Sequence, residues 1–238
     1  MAGGEPGRRG KVTTAPLISA QDLERTFILG SERIKALHGV NMTAYSGEML
    51  VITGPSGSGK TTLLNLLAGL DMPTSGSVHL DNQDLATLSE WELAQLRRRK
   101  IGFVFQSFGL LPLLSAYENI ELPLRIAEWS RRERNRRTEE VLDLVGLGDR
   151  AGHRPYEMSG GEQQRVAVAR AMVHRPTLIL ADEPTGELDS ATGTAIFTLL
   201  KNIAEQENVA IVVASHDVNV ASKFATLTRD LRDGTFVN

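Results

Sequence analysis

The 238-residue chain reads as an α/β fold with a largely parallel central sheet. Three observations predict it. Short apolar runs of strand length alternate with segments of helical spacing, the order of βαβ units. A glycine-rich turn, Gly54 to Gly59, follows one of those runs and opens onto a helix. A mostly helical stretch in the middle interrupts the alternation and reads as an inserted lobe.

Along the chain, Leu17 to Phe27 and Ile34 to Ala44 are expected strands joined by a turn at Gly30-Ser31, and Glu48 to Thr53 is a short apolar strand. Lys60 to Gly69 follows as a helix, with leucines at 63, 64, 66 and 67. Ser77 to Leu80 reads as a short strand, Ser89 to Lys100 as a polar helix and Ile101 to Phe105 as a buried strand. From about Leu110 to Arg154 the pattern is mostly helical and contains the charge run Arg131 to Arg137. Ser159 to His174 is a helix by the spacing of Val166, Val168, Ala169 and Met172. Thr177 to Ala181, Val209 to Ala214 and Thr226 to Leu231 are strands, with a helix at Ala191 to Glu205 between the first two.

Bulk composition removes several function classes. An apolar fraction of 41% and a charged fraction of 23% suffice for one large domain with a full core. A net charge of -3 gives no global argument for nucleic-acid binding, and none is expected. With no cysteines, disulfides, cysteine zinc sites and thiol chemistry are excluded, which is compatible with a reducing cytoplasm. No stretch approaches the roughly 18 apolar residues of a membrane-spanning helix. Residues 1–16, with Arg8, Arg9 and Lys11 but no apolar stretch behind them, are expected to be a flexible tail rather than a secretory leader. A partner must therefore bring the protein to any membrane it serves.

The chemistry begins with Gly54-Pro55-Ser56-Gly57-Ser58-Gly59-Lys60-Thr61, which fits G-x-x-x-x-G-K-[ST] between a strand and a helix, with Thr62 next in line. Glycines let backbone N–H groups close around phosphate oxygens, and the helix start turns its positive end to the anion. Lys60 would place a charge on the β/γ-phosphates, and the Thr61 hydroxyl is a candidate Mg²⁺ ligand. Further on, the apolar run Leu178 to Ala181 ends in Asp182-Glu183. At the carboxyl end of a parallel strand, Asp182 would hold Mg²⁺ and Glu183 would polarise the attacking water. Such a pair is weak evidence alone and gains weight from the phosphate loop in the same chain.

Met158-Ser159-Gly160-Gly161-Glu162-Gln163-Gln164-Arg165 resembles the signature sequence of ABC-type ATPases. Ser159 and Glu162 also form an S-x-x-E capping box, which leaves the Gly-Gly pair unexplained. The resemblance covers about Leu17 to Val237 and implies a P-loop NTPase fold with an N-terminal antiparallel β subdomain. It implies one ATPase domain over 17–238, with the helical lobe at about 107–160. It further implies that Ser159, Gly160, Gly161 and Glu162 face the γ-phosphate held by another subunit, so that a second copy of the chain, or a similar subunit, completes each ATP site. By the same resemblance Gln106 contacts Mg²⁺ or water and ties the lobe to the site. Asp189, in Gly186-Glu187-Leu188-Asp189, communicates across the dimer, His216 contacts the γ-phosphate, and Phe27 stacks on adenine.

Phe105 to Pro112, then Glu118-Asn119 and Leu122-Pro123-Leu124, are similar to the lipoprotein-release and macrolide-export group. That resemblance implies ATP and Mg²⁺ as cofactors and an integral-membrane permease with few transmembrane helices and a large extracytoplasmic domain. It places the chain peripherally on the cytoplasmic face of the membrane, with transport in the export direction. The apolar set Phe108, Leu110, Leu111 and Leu114 is expected to line the groove that receives the permease. Met158, Phe27 and Glu187 depart from the usual leucine, tyrosine and asparagine. Two alternatives stay open: mechanical signalling through a membrane partner, as in the cell-division member of the circle, and a soluble ABC ATPase. Against the last, the chain has no heptads, no cysteines and only one ATPase module.

Overall fold

A computed structural model describes residues 15–217 and 222–237. Most of the expected tail, residues 1–14, lies outside the described residues. The fold is α/β. Strands β1 (Ile18–Leu29), β2 (Glu32–Ala44) and β3 (Met49–Thr53) precede helix α1 (Lys60–Leu67). Then come β4 (Ser75–Leu80), β5 (Gln83–Asp84), α2 (Glu90–Lys100) and β6 (Ile101–Val104). The middle of the chain contributes α3 (Ala116–Ile126) and α4 (Arg131–Leu144), with short 3₁₀ turns at Gly148–Arg150 and Pro155–Glu157. α5 (Gly160–Met172), β7 (Leu178–Asp182), α6 (Ser190–Glu207), β8 (Ala210–Ser215), β9 (Leu227–Arg232) and β10 (Thr235–Val237) complete it.

Two sheets result. One is antiparallel, in the order β2-β1-β4-β5; the other has six strands in the order β10-β9-β3-β8-β7-β6. In the second, every pairing is parallel except the β10–β9 edge. The first two strands run further than their apolar pattern suggests, because a two-residue turn pairs Leu29 directly with Glu32. β5 and β10 are too short and too polar to stand out in the sequence.

Alternation along the parallel strands explains their unbroken apolar runs. Leu50, Ile52, Leu178, Leu180, Val212 and Ala214 face α1 and the antiparallel sheet. Met49, Val51, Ile179, Ala181, Ile211 and Val213 face the core made with α3, α5 and α6. A strand covered on both faces has no solvent side to make polar. The register then decides what meets at the carboxyl edge: Thr53 pairs with Ser215, Asp182 with Ala214 and Val104 with Ala181. The loops leaving β3, β6, β7 and β8 are thereby brought to one edge of the sheet.

Candidate functional site

The loop after β3 can be made only with glycine at two points. Gly54 has φ +150°, and a Cβ there would lie 2.1 Å from the Leu231 carbonyl oxygen. Gly59 has φ +103°, and its Cβ would lie 2.6 Å from the Ala36 carbonyl oxygen. The chain thus packs backbone against backbone before turning into α1. Gly59 is the N-cap, no side chain caps the helix, and no acid occupies its first turn. Its N–H groups and positive end are left for an anion.

Lys60 is buried, and its Nζ donates to the Gly54 and Pro55 carbonyls at 2.8 and 3.1 Å. Glu183 Oε1 lies 3.5 Å from the same ammonium. Thr61 Oγ1 donates to Asp182 Oδ2 at 2.8 Å, while Asp182 Oδ1 is buried and has no hydrogen-bond partner. Burial, reinforced by the neighbouring Glu183 charge, pushes the Asp182 carboxyl above the ordinary aspartate value; Thr61 and Lys60 pull the other way.

Glu183 has φ +48°, unusual for a residue with a side chain, and several contacts hold it there. Its N–H donates to the Ala214 carbonyl at 2.9 Å, and its own carbonyl accepts from Gly186 N at 3.0 Å. Its carboxylate accepts from His216 N at 3.1 Å and lies 2.7 Å from His216 Nδ1. Gln106 follows β6 and lays its amide against Gly186, where an added Cβ would be 3.1 Å from Gln106 Nε2. A cleft of about 570 Å³ is lined by Ser56, Gly57, Gly59, Lys60, Thr61, Thr62, Gln106, Asp182, Glu183 and His216, together with Ala36. Ala36 is the lining residue the sequence does not announce; it is a strand residue met only by the fold of the hairpin over the loop.

Other expected residues lie elsewhere. Phe27 does not line the cleft; the Arg25 guanidinium sits 4.5 Å above its ring centroid and is paired with Asp71 at 2.8 Å. Ser159 to Glu162 are also outside it. Ser159 N donates to Glu162 Oε2 at 2.8 Å and Glu162 N to Ser159 Oγ at 3.3 Å, a complete capping box. Gly161 has a packing reason within the chain, since a Cβ there would be 2.6 Å from Thr192 Cγ2 on α6. Asp189 caps α6, accepting from Ala191 N and Thr192 N at 3.0 Å each.

None of Phe108, Leu110, Leu111 and Leu114, the set expected along the permease groove, is among the lining residues of the apolar groove beside Phe105. Leu110 packs against the core. That groove, of about 310 Å³, is lined by Ile101, Phe103, Phe105, Leu122, Pro123 and Ile126, with Arg97, Arg98 and Arg170 around it. The basic runs are partly consumed inside the molecule. Arg97 donates to the Gly69 carbonyl, Arg98 meets Glu128 at 3.3 Å and Lys100 meets Asp81 at 2.7 Å. Arg134 pairs with Glu121 at 2.8 Å, and Arg137, fully buried, with Glu140 at 2.7 Å.

Comparison with known proteins gives consistent relatives. The family described as ABC transporter matches residues 37–186. An ABC transporter ATP-binding protein of Methanocaldococcus jannaschii is 48% identical over 222 residues, covering 92% of this chain and 94% of that protein. The lipoprotein-releasing system ATP-binding protein LolD 2 of Caulobacter vibrioides is 44% identical over 219 residues, covering 92% and 96%. The macrolide export ATP-binding/permease protein MacB of Brucella melitensis is 45% identical over 94% of this chain, which spans only 34% of that longer protein. Among solved structures, the dimeric post-hydrolysis state of the archaeal cassette bound to ADP and Pi superposes with a TM-score of 0.84 at 46% identity, covering 93% of this chain and 97% of that one.

Proposed function

The chain belongs to the ABC transporter family, as one of its ATP-binding cassettes, and from that premise we propose that it binds MgATP in this cleft, pairs with a second copy across two nucleotides and hydrolyses them to drive a membrane permease. The observation that carries the reading is the meeting of four strand ends on one cleft: the loop after β3, Gln106 after β6, Asp182 and Glu183 at β7, and His216 after β8. The ATPase unit occupies 17–238, with its helical lobe at about 107–160.

The backbone from Gly54 to Thr62 wraps the phosphates, and Lys60 exchanges its loop carbonyls for β/γ oxygens. The Thr61 hydroxyl and the orphaned Asp182 oxygen form an all-oxygen donor pair that suits a hard divalent cation, with Gln106 beside them. Mg²⁺ held there supplies charge compensation for the phosphate oxygens. Glu183 orients a water and takes its proton as the water oxygen bonds to the γ-phosphorus; the bond to the bridging oxygen breaks and ADP leaves with the electron pair. His216, already on the Glu183 carboxylate, contacts the γ-phosphate. Phe27 offers a ring for adenine.

Ser159, Gly160, Gly161 and Glu162 serve the cleft of the second copy, since they lie outside their own. The dimeric state of the archaeal relative supports that pairing, and Asp189, the N-cap of α6, communicates across it. No helix among the described residues is long and apolar enough to cross a membrane. The permease, with few transmembrane helices and a large extracytoplasmic domain, docks a helix in the groove between Phe103, Phe105 and Ile126, holding the cassette on the cytoplasmic face. The names of the LolD and MacB relatives support the export direction.

The test is Glu183→Gln. Turnover should fall to background while MgATP binding is retained and the chain elutes as a dimer. Wild-type-like hydrolysis would remove the role given to Glu183. A trapped variant that brings down no integral-membrane protein from gently solubilised native membranes would overturn the permease assignment and leave the ATPase chemistry standing.

A further inference from the structure

Gln106 stands in a connection with no regular structure between β6 and α3, yet it lines the cleft. Two residues beyond it, Phe108 and Gly109 both adopt left-handed backbone, with φ +57° and +59°. A phenylalanine keeps that conformation only when its surroundings impose it. Beyond the local turn bonds from Phe108 N to the Phe105 carbonyl and from Gly109 N to the Ser107 carbonyl, the long-range group that meets both residues is Arg170. Its Nη1 donates to the Gly109 carbonyl at 2.6 Å and its Nη2 to the Phe108 carbonyl at 3.0 Å. The planar guanidinium matches two adjacent acceptors in a way an ammonium cannot.

Arg170 makes no ion pair among the described residues, so its charge is spent on these two carbonyls. Partial burial also pushes its pKa below the ordinary arginine value. From the other side the Phe105 ring closes on Gly109, where an added Cβ would lie 3.2 Å from Phe105 Cδ2. Gln106 thus lies between Phe105, whose ring packs on Gly109, and Phe108, whose carbonyl Arg170 holds.

Arg170 belongs to the last turn of α5, whose first turn holds the Ser159–Glu162 capping box. At about 1.5 Å per residue the two ends are about 16 Å apart on one rigid helix. We propose that Arg170 is a positioning residue for Gln106: it fixes the loop that carries Gln106 into the cleft and ties that loop to the helix lent to the second copy. The inference rests on the role given to Gln106 above. Because Phe105, Gly109 and Arg170 also wall the groove, an occupant of the groove bears directly on the clamp.

Arg170→Met keeps most of the apolar stem and removes the fork. Amide hydrogen exchange over residues 106–111 should rise about tenfold or more, with β7 unchanged, as expected for a locally opened segment. Unchanged exchange would overturn the clamp, whatever the ATPase result. In steady-state hydrolysis, kcat should fall about tenfold with KM for MgATP within about twofold, since the phosphate loop is untouched. Arg170→Lys should recover part of the loss. The deciding measurement is the cycle with Gln106→Ala: the double variant should match Gln106→Ala alone within about twofold, because Arg170 acts through that residue. Losses that multiply would overturn the proposal. Should Arg170→Met not fold, Gly109→Ala strikes the same contact from the loop side and should give the same exchange and the same non-additivity. A wild-type chain that fails to hydrolyse ATP would sink the proposed function and still leave the exchange experiment to judge the clamp.

Discussion

At the scale of single residues, the cleft depends on backbone shapes that most side chains forbid. Gly54 approaches the Leu231 carbonyl so closely that even a methyl group has no room. Gly54→Ala should cost roughly 2 kcal/mol or more in stability and abolish nucleotide binding; retained binding in a filter or fluorescence assay would show that the loop can be built another way. Glu183 illustrates the opposite case, a left-handed residue with a side chain, kept there by Ala214, Gly186 and His216. Its acidic identity is legible beside Asp182 at the end of an apolar run. Its strain is not, because a local sequence does not say which carbonyl will be waiting across the sheet.

At the scale of elements, helix starts repeat one device. Ser89 with Glu92, Ser115 with Glu118 and Ser159 with Glu162 each form a capping box. Ser159→Ala should cost about 1 kcal/mol, read as a lowered denaturation midpoint. The pH dependence follows from Glu162. Hydrogen bonds from the Ser159 backbone N–H and hydroxyl hold its carboxyl below the ordinary glutamate value. A depressed folded-state pKa gives stability that is present above the unfolded value, and is lost as pH falls from there through the folded one. Wild type should therefore lose stability more steeply than Ser159→Ala in acid below the ordinary glutamate value of about 4.5. Parallel acid curves would deny the box that contribution. The basic run on α4 is likewise sorted by the fold. Arg134 and Arg137 are committed to internal partners, whereas Arg131, Arg132 and Arg136 are exposed. If that face meets anionic lipid, neutral replacements of those three should weaken binding to anionic vesicles at low salt; unchanged binding would dismiss it.

At the scale of the whole molecule, the six-stranded sheet separates two apolar cores, and the carboxyl edge between them holds the cleft. Phe197 on α6 is fully buried in the core shared with α3, α4 and α5, its ring stacked on Phe224 at 6.0 Å. Phe197→Ala should destabilise the chain by roughly 3–5 kcal/mol in chemical denaturation. Because the residue does not line the cleft, hydrolysis at low temperature should survive; a selective loss of turnover with unchanged stability would mean that this core transmits to the site.

The sequence by itself determined the alternation of strands and helices, the phosphate loop, the acidic pair and the order of the site elements. Each is written in neighbouring residues, where periodicity and glycine spacing act over a few positions. Only the tertiary structure decided that Lys60, Thr61, Gln106, Asp182, Glu183 and His216 share one cleft, that Ser159 to Glu162 stand apart from it, and that an apolar groove runs along Phe103, Phe105 and Ile126. It also supplied the Arg170 contact with Phe108 and Gly109, 62 and 61 residues away along the chain. Such meetings depend on sheet register and on which face of a helix is buried. Both are settled by the packing of distant segments against one another, and no local pattern carries that information.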